Sequence, residues 1–144
     1  MGAPTRNGGR PAPIDRPIIE FLQMSLDRVQ QVERATISDD SGHFELSVLF
    51  GSLYYPAPID NTTLSIQWYT NDDFKIHYRV VHLDRAWECR WDRHPNPHNT
   101  RDHFHPSPTA PTPGDDASWP ADYRDVLTLV LDEVEQRITA LWDE

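Results

Sequence analysis

The 144-residue chain is expected to be one α+β domain: a four- or five-stranded antiparallel sheet packed against an N-terminal and a C-terminal helix. Three observations predict this. Apolar residues recur at helical spacing at each end of the chain. Between them lie four segments in which apolar and polar residues alternate. The short connections between those segments point to an antiparallel meander.

Residues 1–16 are rich in Gly, Pro and Arg and carry no hydrophobic period, so a disordered arm is expected there. Residues 17–144 form the domain. Pro17 opens the first helix, with Asp15 placed to cap it. Ile18, Phe21, Leu22, Leu26, Val29 and Val32 make its apolar face. A strand at Ala35–Ser38 is expected to precede the four alternating ones. These centre on Phe44–Phe50, Leu64–Tyr69, Phe74–Val80 and Trp87–Asp92. Turns are expected at Asn71-Asp72-Asp73 and at Asp84-Arg85. Residues 106–118 read as a flexible Pro-rich loop. Pro120 then starts the last helix, whose apolar stripe runs from Tyr123 to Trp142.

Composition excludes several classes. No apolar run approaches the ~18 residues of a membrane span, and the first residues lack the apolar stretch of a signal peptide. A single cysteine, Cys89, excludes an internal disulfide and a cysteine-rich zinc site. The formal net charge is −10, with 16 Asp against 7 Glu, and Lys75 is the only lysine among 13 basic residues. Such a balance suits a halophilic cytoplasm; GC-rich codon usage produces it too. Acidity ordinarily argues against nucleic-acid binding, but that argument weakens where acidity is a background property of the host's proteins.

The chemistry-bearing residues concentrate between Glu88 and Pro106. His94, His98, His103 and His105 fall within twelve residues, among Asp92, Arg93, Arg101 and Asp102. Imidazole exchanges protons near neutral pH and also binds metals. In extended conformation His103 and His105 point to one side. If Asp84-Arg85 is a two-residue hairpin turn, His77 faces Asp92, Arg79 faces Arg90 and Val81 faces Glu88. One sheet face then carries His77, Arg79, Arg90 and Asp92 beside the histidine loop. Two facing arginines call for a carboxylate or an anionic ligand between them. Trp68, Trp87 and Trp91 are expected in the core, as is Cys89.

The run Tyr78, Arg90-Trp91-Asp92, His94-Pro95, His98 and His103-Phe104-His105, closed by one helix, resembles the TumE family of toxin–antitoxin toxins. The chain departs from that pattern at Arg93-His94-Pro95-Asn96-Pro97-His98. The resemblance implies a cytoplasmic toxin neutralised by a DNA-binding antitoxin. The residues are compatible with a metal-independent ribonuclease or phosphoryl-transfer enzyme. His77, Asp92, His98, His103 and His105 would then be catalytic, with His103 and His105 the acid–base pair, and Arg79, Arg90, Arg93 and Arg101 would hold phosphate. No cofactor and no metal is expected in that reading. The alternative is a binding module whose histidines hold a divalent metal or a partner without turnover. A third reading is an adaptor that docks a partner through Tyr54-Tyr55 and the acidic helix face.

Overall fold

A computed structural model describes residues 12–40 and 43–144. Its elements are helix α1 (Arg16–Leu26), strands β1 (Val32–Asp40), β2 (His43–Phe50), β3 (Ile59–Trp68), β4 (Phe74–His82), β5 (Arg85–Arg93), β6 (Asp102–His105) and β7 (Asp115–Asp116), and helix α2 (Tyr123–Trp142). The strands form one antiparallel sheet in chain order.

Alternation explains why the helices cover one face of the sheet. Leu46, Val48, Leu64, Ile66, Ile76, Tyr78, Val80, Cys89 and Trp91 are buried on it. They share one core cluster with Ile19, Leu22 and Leu26 of α1 and with Val126, Leu127, Val130, Val134 and Leu141 of α2. Removing each such large apolar side chain from water is worth about 1.5–3 kcal/mol, so the apolar stripes decide which way the helices face. Trp68 stacks on Phe74 with ring centroids 4.7 Å apart. Burial pushes the Cys89 thiol up to about 12. The Tyr54–Tyr55 segment is no docking patch on its second residue: Tyr55 is buried, and its hydroxyl lies 2.7 Å from that of Tyr78. Among the described residues no helix is long and apolar enough to cross a membrane.

The two expected helices and the α+β architecture are present, but the sheet has seven strands rather than four or five. The additional ones are β6 and β7, which lie in the segment read as an aperiodic histidine–proline loop. Of the expected arm, residues 1–11 lie outside the described residues. The rest is held at the end of β3, where the Thr70 amide donates to the Pro13 carbonyl and the Asp15 amide to that of Trp68, at 2.9 and 2.8 Å. The helix start follows from Asp15, whose carboxylate accepts from the Ile18 amide.

The β4–β5 hairpin corrects the expected register. The closing pair is His82–Arg85, so the turn is Leu83-Asp84 and every expected pair moves by two residues. His77 therefore faces Arg90, Arg79 faces Glu88, and Asp92 faces Lys75. The two arginines do not oppose one another. Leu83 has φ of 60°, the positive value that two-residue hairpin turns take at their first position. A leucine there is an unusual choice, which is why polar residues pointed one position too far along. A shift of two leaves each residue on its expected face.

Candidate functional site

Arg90 and Asp92 alternate along β5 with core-facing Cys89 and Trp91, and so emerge on the face opposite the helices. His94 continues the same alternation past the strand end, where its amide donates to the Arg101 carbonyl at 2.9 Å. In β6, His103 and His105 alternate with Phe104, which packs on Trp91 and Trp119. The β5–β6 register puts Arg90 opposite His105 and Asp92 opposite His103. Five polar side chains thereby meet at one end of the sheet.

Their centre is Asp92, which is 0% exposed. Its Oδ2 accepts from Arg90 Nε at 3.0 Å. The Nε2 atoms of His105, His94 and His103 approach the same oxygen at 3.2, 3.4 and 3.5 Å. Its other oxygen, Oδ1, is buried and has no hydrogen-bond partner. A buried carboxylate stays ionised only when cations or hydrogen bonds repay its lost hydration. Burial alone would raise this carboxyl, but the His94 hydrogen bond and the Arg90 charge outweigh it and hold the group below its usual range. The same hydrogen bond raises His94, while burial lowers His103.

Each ring is fixed from behind. His105 Nδ1 donates to the Pro111 carbonyl at 2.7 Å, and His94 Nδ1 to the Pro95 carbonyl at 3.1 Å. Two carbonyls, of Thr100 and Arg101, lie 3.2 Å from His103 Nδ1. The Asn96 amide is 3.3 Å from the same nitrogen but also donates to the Thr100 carbonyl. Carbonyl oxygens only accept, so these rings carry their hydrogens on Nδ1 and turn Nε2 inward. His105 Nε2 also lies 3.1 Å from Arg90 Nη2, as an acceptor should. The side chains of His103 and His105 are 3% and 4% exposed, whereas those of Arg90 and His94 are 27% and 39% exposed. Lys75 and His94 line a surface cavity of about 220 Å³ beside the centre.

The segment 106–118 does more than close a loop. Its Pro108 carbonyl accepts from the Glu88 amide, its Pro111 carbonyl holds His105, and β7 pairs with β6. Gly114 lies so close to β6 that an added Cβ would clash with the Phe104 carbonyl oxygen.

The other expected site residues lie elsewhere. His98 is exposed on the loop, its amide capped by Asn96. His77 lies 2.6 Å from Glu88, and Arg79 is exposed on the open face. Arg93 is buried, donating to Asp102 and to the Trp119 and Pro120 carbonyls. Arg101 forks onto Asp73 and the Asn71 carbonyl in the β3–β4 turn. Asp92, Arg90, His103 and His105 are brought together, joined by His94 and neighboured by Lys75. The signal for His94 was the period of two in Arg90, Asp92 and His94, which continues the strand through a segment that looks like loop.

The model of the family described as Toxin TumE matches residues 18–138. That is most of the chain, which therefore belongs to the TumE toxin family. No curated protein and no solved structure matches the chain.

Proposed function

We propose that this TumE-family chain is the toxin of a toxin–antitoxin pair and acts by phosphoryl transfer on RNA at the Asp92 centre. One observation carries the reading: a single buried carboxylate gathers a guanidinium and three imidazoles, and the guanidinium and one imidazole remain part-exposed. Arg90 offsets the charge gathering on the attacked phosphate, with Lys75 across the strand pair adding to it. The 2′-hydroxyl attacks the phosphorus and releases its proton to solvent water, while His94, whose hold on a proton Asp92 strengthens, protonates the leaving 5′-oxygen. His103 and His105 are too enclosed to meet a nucleotide, so they take positioning roles rather than forming the acid–base pair. Arg79, Arg93 and Arg101 hold no phosphate in this reading. Membership of a toxin family supports an antitoxin as partner; in this reading that antitoxin is a DNA-binding protein and both act in the cytoplasm.

The test is incubation of purified protein with a mixed RNA substrate. Cleavage products are expected, at least about 100-fold fewer with folded His94→Ala or Arg90→Ala. RNA left intact by protein that arrests growth in cells would overturn the reading.

A further inference from the structure

We propose that Asp92, His103 and His105 form a site for one divalent transition-metal ion of the zinc class. The first argument is the direction of the lone pairs. Backbone carbonyls hold Nδ1 of both rings, so in each neutral ring Nε2 carries the bare lone pair. Both lone pairs are turned on the anionic Oδ2, at 3.5 and 3.2 Å. Electron pairs converging on an anion require a cation among them. Imidazole ligands of metals show this same arrangement, donating the far N–H to a carbonyl while the near nitrogen binds.

The second argument is size. The three ligand atoms lie within 4.8 Å of one another. A tetrahedral zinc site with bonds of about 2.0–2.1 Å has ligand atoms roughly 3.3 Å apart. The two separations measured from Oδ2 bracket that length. The donor set of two imidazoles, one carboxylate and an open position is that of zinc sites that keep a water. Asp92 Oδ1, buried and unpartnered, is a further acceptor pointing to an incomplete site.

Arg90 is the cation that now fills this role. Its Nε donates to Oδ2, and its Nη2 lies 3.1 Å from His105 Nε2. Being part-exposed, it has room to swing outward when a metal enters, which would free it for a phosphate. His94 stands beside the open position, its Nε2 3.4 Å from Oδ2. A water bound there would lose a proton to solvent more readily than free water, and the hydroxide left behind could accept the 2′-hydroxyl proton.

The test uses the full chain, stripped of metal and titrated with Zn²⁺ and with Co²⁺ as a spectroscopic substitute. One equivalent is expected to bind, Co²⁺ giving the visible absorption of a four-coordinate nitrogen and oxygen site. Asp92→Asn and His103→Gln should each weaken binding at least about 100-fold. Because those variants remove buried groups, Arg90→Met is the decisive partner: it removes the competing charge and should tighten binding roughly tenfold or more. His98→Ala should bind as the parent does. Failure to take up a stoichiometric ion, uptake indifferent to Asp92→Asn in folded protein, or weaker binding by Arg90→Met would each overturn the site. The site stands apart from the RNA reading. Metal bound by a chain that spares RNA would overturn the proposed function and keep the site; RNA cleavage with no metal bound would do the reverse.

Discussion

Arg90 and Arg93 are three residues apart and have opposite fates. Arg90 lies on the open face, keeps part of its side chain in water and meets Asp92. Arg93 lies on the core side, sits over the Phe74 ring with its guanidinium carbon 5.1 Å from the centroid, and spends its donors on Asp102, Asp72, Trp119 and Pro120. Burial would raise the Asp102 carboxyl, but this arginine and the Trp119 amide hold it below its usual range. Arg93→Ala should therefore destabilise the fold by about 3–5 kcal/mol, because it takes the guanidinium from a part-buried carboxylate and a donor from three carbonyls. Arg93→Lys should recover only part of that, since an ammonium lacks the planar fork. Urea unfolding of the two variants checks both expectations; a loss within about 0.5 kcal/mol, the scatter of a surface change, would contradict the buried-clamp account. The residue types of the site were legible in the sequence, since Arg, Asp and His cluster nowhere else so densely. Which arginine serves which purpose was not, because burial and register decide that and neither shows in residue type.

At the scale of elements, the site depends on β6 and the strap that follows it. Strands β2 to β5 were legible because their inward residues are apolar. The sequence His103-Phe104-His105 has the same period of two, but two of its buried positions are imidazoles, which a hydropathy reading assigns to solvent. The prolines on either side reinforced that reading. They serve instead as a source of carbonyls without competing N–H groups, and Pro95 and Pro111 each hold a histidine. The strap approaches β6 most closely at Gly114, where only a missing Cβ admits the contact. Gly114→Ala should push the strap off Phe104 and loosen the bond from His105 to Pro111. The expected outcome is a loss of roughly 1–3 kcal/mol in thermal or chemical unfolding, as for other overpacked sites, with the His105 ring resonances shifted in NMR spectra. Unchanged stability together with unchanged His105 resonances would show that the strap is not seated as described.

For the whole molecule, the net charge of −10 describes the shell and not the site. Much of the acid lies in turns, on the exposed end of β1 and on the solvent side of α2, whereas Arg90 and the three imidazoles surround one carboxylate, with Lys75 opposite it in the strand register. At molar ionic strength, where the Debye length falls to about 3 Å, the shell would repel an anionic substrate little beyond contact range. Short-range contacts at the sheet end would then govern recognition. The α+β class and the two flanking helices followed from periodicity, and the family from Tyr78, a few residues between Arg90 and His105, and the closing helix. The central claim is that toxicity resides in the Asp92 centre. Growth of cells expressing each variant, with folded protein confirmed by circular dichroism, tests it most directly. Asp92→Asn and His94→Ala should abolish growth arrest, while His98→Ala and Arg79→Ala should arrest growth as the parent does. Full arrest by folded Asp92→Asn would contradict the account.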